Sequence, residues 1–125
     1  MFGKVAKAIE ILITNQHDVR NRVWVASTYL MMLHPDSVPE NCREDVIWIQ
    51  QMLTRYPPME YYKTAIEATY RRTRCRTAEK IAHRVWKLYH EFETAFEARA
   101  QEQRERLTTH STATHKSSAG HQRGR

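Results

Sequence analysis

The sequence predicts an all-α fold: a small helical bundle of three to four helices with a long C-terminal helix and a disordered basic tail. Residues that break helices are few, with 3 glycines and 4 prolines among 125 residues. Apolar residues recur at steps of three and four along most of the chain, which is the spacing of one helix face. The hydrophobic content of 41% supports one modest core. We therefore expect a helical domain over residues 1–107 and a tail over residues 108–125.

The first helical segment is predicted from about Phe2 to Leu33. The apolar residues that repeat through it are Phe2, Val5, Ile9 and Leu12, then Val19, Val23, Ala26, Leu30 and Leu33. The pattern allows a break just before Asp18, whose side chain suits a helix N-cap, so one bent helix and two helices both fit. His34 precedes Pro35 and should end the segment, since a residue before proline avoids the helical region.

The second helix is predicted to begin near Ser37. Ser37 and Glu40 have the spacing of a capping box, and Pro39 would lie in the first turn. A wide apolar stripe makes this the expected central helix: Cys42, Val46, Ile49, Leu53 and Tyr56, with Ile47, Trp48 and Met52 beside them. Pro57 and Pro58 should stop it.

The third helix is predicted to be the longest, because no Gly or Pro occurs from Met59 to Ala119 and helix formers continue to Leu107. Unbroken, it would be ~70 Å long, whereas a compact domain of this size is roughly 30 Å across. Three outcomes stay open: its end projects into solvent, it packs on a partner chain, or it breaks near residues 74–77. The tail has almost no apolar residues and is expected to be disordered.

Positive charge is concentrated in one part of the chain, whose net charge is +6. Residues 1–58 contain six Lys or Arg and six Asp or Glu, so they contribute no net charge. From Lys63 to His90, by contrast, eight Lys or Arg accompany only two glutamates. A basic protein is attracted to polyanions, namely nucleic acid, anionic membranes or acidic proteins.

The third helix should present a basic face opposite its apolar face. Its members recur at steps of three and four: Arg72, Arg76, Lys80, His83, Lys87 and His90. Such a face would extend ~27 Å and would meet phosphates at comparable intervals on a nucleic-acid backbone. We therefore predict backbone binding to RNA or DNA by Arg71, Arg72, Arg74, Arg76, Lys80, His83, Arg84 and Lys87.

Charged helix faces are more often simply solvated, but those usually mix signs to gain attractive pairs four residues apart. This face is nearly all positive, so its neighbours repel by a few tenths of a kcal/mol each. The main alternative is a non-enzymatic protein–protein interaction module, such as an assembly or inhibitor subunit that binds an acidic partner. Such a module would depend on exposed anchors such as Trp24 or Trp86.

Aromatic residues near the basic face are candidates for stacking on bases, although packing in the core or in a dimer interface is the favoured interpretation. They are Tyr61, Tyr62, Tyr70 and Trp86. No zinc-finger, KH, RRM or homeodomain signature occurs, so we expect little sequence specificity. RNA and DNA are not distinguished.

The sequence predicts no enzyme, metal site or cofactor. His83 and His90 would lie roughly 10 Å apart along a helix, too far to share one ion, and three glycines cannot form a phosphate-binding loop. Cys42 and Cys75 are expected to be reduced and to serve as small packing residues. No run approaches the ~20 apolar residues of a membrane span, so we expect a cytoplasmic protein.

A homodimer is also considered, since part of the third helix approximates a heptad seam: Ile81, Val85, Leu88, Phe92 and Ala95. The segment from Ser37 to Asp45 resembles, in style, the turn that opens the second helix of small nodavirus-type RNA-silencing suppressors. The resemblance implies a dimer that binds double-stranded RNA along a basic helical face. Pro57 and Pro58 depart from that pattern, because they would interrupt the RNA-facing helix.

Overall fold

The computed structural model describes the backbone of residues 2–114 and the side chains of residues 2–108. The all-α prediction is confirmed, and no strand occurs in this described part. Five α-helices are present there, against the three to four predicted: α1 (Phe2–Thr14), α2 (Val19–Leu30), α3 (Glu40–Leu53), α4 (Ala65–Arg72) and α5 (Cys75–Thr114). A short 3₁₀ helix, Pro35–Ser37, precedes α3.

The chain divides into two compact units at Glu93 and Thr94. The first contains a core to which α1, α2, α3 and the first half of α5 contribute. In the second, α5 continues to Thr114, past the predicted limit at residue 107, and none of residues 94–108 is buried. The predicted tail from residue 115 onward lies outside the described residues.

The first predicted segment forms two helices. Asp18 caps the second of them, because its Oδ1 accepts a 2.9 Å hydrogen bond from the Asn21 backbone N–H. Arg22 also donates from Nη1 to the carbonyl of Leu12 at 3.0 Å, which joins α2 to the end of α1. Both residues belong to the α2 side of the break: Asp18 caps the start of α2, and Arg22 bonds back to the end of α1.

The predicted capping box at Ser37 is wrong. Ser37 ends the 3₁₀ helix, where its N–H bonds to the carbonyl of His34 at 2.8 Å. Pro39 is the residue that precedes α3, and no side chain caps that helix. Pro35 explains the difference, because its restricted backbone favours a tight turn ahead of the expected start.

Of the three outcomes left open for the third helix, a break near residues 74–77 is the one that the structure shows, at Thr73 and Arg74. Thr73 ends α4 with an extended backbone, and both its N–H and its hydroxyl donate to the Thr69 carbonyl, at 2.8 and 2.6 Å. The helix breaks here because the residues before and after the break bury different helix faces. In one continuous helix, with about 100° per residue, buried Ala68 and Thr69 would face about half a turn away from Ala78 and the α5 core positions beyond it. The break lets α4 and α5 each turn a different face inward.

The apolar face predicted for the third helix is confirmed within α5. Ile81, Val85, Leu88 and Phe92 are at most 5% exposed and belong to the core of their own chain. The sequence assigned these four side chains, together with Ala95, which is only partly buried, to a possible dimer seam. Because they already pack inside the protomer, they offer no surface to a second copy. No described helix has the length and apolar character required to cross a membrane.

Candidate nucleic-acid interface

Four exposed arginines gather where α4 ends and α5 begins. Arg71 and Arg72 form the last turn of α4, Arg74 lies in the two-residue connection, and Arg76 lies in the first turn of α5. We call these four residues the junction patch. Among the described residues, no ion pair includes any of them. The patch therefore retains its full positive charge.

Tyrosine rings hold the α4 arginines in place. The Arg71 guanidinium lies 5.5 Å from the centre of the Tyr62 ring and 5.6 Å from that of Tyr70. The Arg72 guanidinium lies 4.5 Å from the centre of the Tyr56 ring. Cation–π contacts of this kind are worth ~0.5–1 kcal/mol at exposed sites. They orient the guanidinium groups without neutralising their charge.

A second set of contacts attaches Tyr70 to α2. Trp24 stacks on the Tyr70 ring with centroids 5.0 Å apart, and Arg20 donates from Nη2 to the Tyr70 carbonyl at 3.0 Å. The Arg20 guanidinium also lies 5.3 Å from the ring centre. The base of the junction patch is thus fixed to the helical core rather than carried on a free loop.

The start of α5 is electrostatically unusual. No side chain in the described part accepts a hydrogen bond from the backbone N–H groups of Cys75, Arg76 or Thr77. These N–H groups form the positive end of the helix dipole, where an arginine is disfavoured by about 0.3–1 kcal/mol. Arg74 and Arg76 nevertheless occupy this end. Folding stability does not account for them, whereas an anion at this point would relieve both effects.

Lys80 and His83 continue the exposed basic surface along α5. Both side chains are exposed, and neither belongs to an ion pair among the described residues. Lys80 lies one turn beyond Arg76, so the two cations share a face of α5. Together with His83, Lys80 extends the junction patch by about two turns of α5.

Arg84 and Lys87, by contrast, are paired with the buried carboxylate of Asp45, although 27% and 55% of their side chains are exposed. Arg84 Nε donates to Asp45 Oδ1, and Lys87 Nζ lies 3.1 Å from each Asp45 oxygen. Lys87 Nζ also lies 3.2 Å from Glu91 Oε2. The Arg84 guanidinium lies 4.7 Å from the centre of the Trp48 ring, so it is flanked by an aromatic face as well. Two carboxylates therefore balance two of the predicted contact residues.

Asp45 and Glu91 each shift the pKa of the other. Burial raises the pKa of Asp45, but hydrogen bonds with Glu91, Arg84 and Lys87 outweigh burial, so that pKa lies below its ordinary value. Burial, followed by the hydrogen bond with Asp45, raises the pKa of Glu91. Glu91 Oε1 is buried with no hydrogen-bond partner in the structure. The two pKa values are therefore shifted in opposite directions, that of Asp45 downward and that of Glu91 upward.

The predicted continuous basic face, from Arg72 to His90, does not exist as one surface. Arg72 belongs to α4 and the remaining members belong to α5. His90 Nδ1 lies 3.8 Å from Glu93 Oε1, and its ring packs edge-on against Trp86 with centroids 4.4 Å apart. The α5 end of the predicted face is therefore paired, and unpaired positive charge is concentrated toward the junction patch.

Asp45 is the functional residue that sequence reasoning missed. It lies three residues after Cys42 and next to Val46, in the apolar stripe of α3, and is 1% exposed. A carboxylate is almost never fully buried without a partner. Its position in that stripe was the signal that α3 would pair with a cation from another helix.

No group of His, Cys, Asp or Glu suited to a metal ion is found in the described part of the chain. Both cysteines are free there; Cys42 is buried as expected, but Cys75 is exposed, because it begins α5 on the solvent side of the break. No protein-family model, curated protein or solved structure matches this chain. The function is therefore inferred from the residues themselves.

Proposed function

We propose that this chain binds nucleic acid through the phosphate backbone, with little sequence specificity. The observation that supports this proposal best is the junction patch, four exposed arginines with no carboxylate partner among the described residues. Phosphates bind arginine side chains and uncapped helix N-termini, and the patch combines the two. Arg71, Arg72, Arg74 and Arg76 are the proposed main contacts.

Lys80 and His83 are proposed as secondary contacts, since they extend the same exposed surface. Arg84 and Lys87 are assigned a structural role instead, because Asp45 and Glu91 already bind them. Phosphate contacts fix position without reading bases, so RNA and DNA are both proposed ligands. No described residue argues for a second copy of the chain, and homodimerisation is not needed for this surface.

An acidic protein would also be attracted to unpaired arginines, and it is the competing outcome of the test. Fluorescence anisotropy should be measured with duplex RNA, duplex DNA and both single strands over a series of salt concentrations. A phosphate-binding site should lose affinity linearly in log salt, with a slope that reflects the number of contacts. Failure to bind any of these ligands would sink the proposal and favour an acidic protein partner.

The decisive variant is Arg74→Glu combined with Arg76→Glu. These side chains make no contact that the described structure records, so the fold should survive. Glutamate in the first turn of α5 is also favoured by the helix dipole. The matched control is Arg99→Glu with Arg106→Glu, which makes the same change in net charge at two exposed positions in the second unit. We expect the first variant to abolish binding and the control to weaken it slightly.

A further inference from the structure

A hydrogen-bonded turn lies beside the junction patch. The Met59 N–H donates to the Tyr62 carbonyl at 2.7 Å, and the Tyr62 N–H donates to the Met59 carbonyl at 3.2 Å. These reciprocal bonds close the turn, with Glu60 and Tyr61 at its tip. Tyr61 is 83% exposed, the largest value among the exposed large hydrophobic residues of the described chain. The turn thus holds an aromatic ring out in solvent.

The other tyrosines of this region already have a cation against the ring. Tyr56 lies against Arg72, while Tyr62 and Tyr70 both lie within 5.6 Å of Arg71. Within the described residues, no ring or cation lies against Tyr61. Its two faces are therefore free to receive a planar group.

We infer that Tyr61 stacks on an unpaired base, so that the junction patch takes a single strand of nucleic acid in preference to a continuous duplex. The inference rests on the proposed function. Bases within a duplex cover one another, whereas the faces of single-stranded bases are accessible to aromatic side chains. An exposed aromatic ring next to phosphate-binding cations is the combination that a single strand requires.

The two parts of the site are adjacent through Tyr62. Tyr62 follows Tyr61 in the chain, ~3.8 Å away between Cα atoms, and its ring lies 5.5 Å from the Arg71 guanidinium. A base and a phosphate of one short stretch of strand can therefore contact Tyr61 and Arg71 together. Because the turn is already closed by its backbone bonds, little ordering entropy is lost when the base binds.

The charge at the tip of the turn does not favour nucleic-acid binding. Glu60 is the other tip residue and is exposed, so its carboxylate opposes phosphate. Any favourable contribution of the turn tip to nucleic-acid binding must therefore come from the Tyr61 ring. Glu60→Gln should accordingly tighten binding of every nucleic acid slightly, while stacking stays unchanged.

Tyr61→Ala in the full-length chain tests the inference. The probes are a labelled single-stranded RNA of about 12 nucleotides, within the usual site size of ~4–16, and a blunt duplex of the same length. We expect the single strand to bind about 5- to 150-fold more weakly and the duplex to be unaffected. Tyr61→Phe should retain the wild-type affinity, because the ring remains. Trp86→Ala, which removes an aromatic residue that is 46% exposed away from the turn, is the control.

Two results would overturn the inference and leave the proposed function standing. One is single-strand binding that Tyr61→Ala leaves intact while Arg74→Glu with Arg76→Glu abolishes it. The other is an equal loss of duplex and single-strand binding in Tyr61→Ala, which would assign the ring to phosphate-side packing. Absence of binding by the wild-type chain to either probe would overturn both proposals.

Discussion

Arg84 of α5 and Asp45 of α3 form the ion pair that joins these two helices in the core, 39 residues apart in sequence. Asp45 has 2% of its side chain exposed and Arg84 27%, so the carboxylate is buried and the guanidinium lies at the edge. Lys87 completes the pairing from one turn further along α5. Two cations that the sequence assigns to a binding surface are therefore bound by a buried carboxylate of another helix.

Asp45→Asn should destabilise the fold. The amide keeps the size of the side chain but removes the charge that Arg84 and Lys87 bind, and hydrogen bonds to charged groups are worth about 1.5–3 kcal/mol. We expect the free energy of unfolding to fall by about that amount in urea denaturation followed by circular dichroism. Asp36→Asn, at an exposed position, is the control and should change little. Equal stability of the two variants would contradict the assigned role.

Glu91→Gln should alter how stability depends on pH. The pKa of Glu91 is raised in the folded state from its ordinary value of 4.5, so its contribution is complete below that value and is lost as pH rises through the folded pKa. The contribution of Asp45 to stability depends on pH in the opposite sense. Its pKa is lowered from 3.8, so this contribution is present above pH 3.8 and is lost as pH falls through the folded pKa. Arg84 and Lys87 of α5 and the Cys42 thiol of α3 lie in the same network.

Glutamine has nearly the size and shape of glutamate but cannot ionise. We therefore expect the stability of Glu91→Gln relative to wild type to increase as the pH rises above 4.5. Urea denaturation at a series of pH values measures this difference. A difference that stays constant over the series would show that Glu91 does not titrate against Asp45.

Lys80→Met and Lys87→Met should differ in their effect on the salt dependence of nucleic-acid binding. Lys80 is exposed and unpaired within the described residues, whereas Lys87 is bound by Asp45 and Glu91. Loss of one phosphate contact lowers the slope of log affinity against log salt by about 0.7–0.9. We expect that decrease for Lys80→Met and no decrease for Lys87→Met. The reverse order in the salt titration would place the binding surface farther along α5.

The two cysteines should react differently with an alkylating reagent. Cys75 is exposed between Arg74 and Arg76, whereas Cys42 is 0% exposed and burial, followed by Glu91 and Asp45, raises its pKa to about 11. Thiolate is the reactive form, so mass spectrometry should find iodoacetamide on Cys75 first. Bound nucleic acid should slow that reaction. Modification of Cys75 at the same rate with and without saturating ligand would argue against binding at the junction.

Most of the core could be predicted from periodicity. Among the repeating residues from Val5 to Leu30, all but Leu12 and Val19 are buried, and those two are partly buried against the same core. The α5 core positions were identified in the correct phase. The division between α1 and α2 could be proposed but not decided. A repeating apolar pattern reports which face of a helix is buried, and it reports this equally well on either side of a short break.

The break at Thr73 and Arg74 was one of three outcomes that the sequence left open, and it could not be decided from the sequence because no residue there is a helix breaker. It arises since α4 and α5 bury opposite faces, and which face α4 buries depends on its contacts with α2 and α3. Trp24 on Tyr70 is one such contact, between residues far apart in sequence. Because tertiary contacts decide which face each helix buries, the basic face predicted from the sequence was also too long.

By itself, the sequence determined that this protein is helical, which apolar residues form its core, and that its positive charge is concentrated in one stretch. The tertiary structure alone decided which of those charges remain available. Arg84 and Lys87 meet Asp45 only because α3 packs against α5, and Arg74 and Arg76 stay unpaired because the chain turns between two helices. Charge is a property of composition, but neutralisation requires two groups within ~4 Å, and that distance is set by packing.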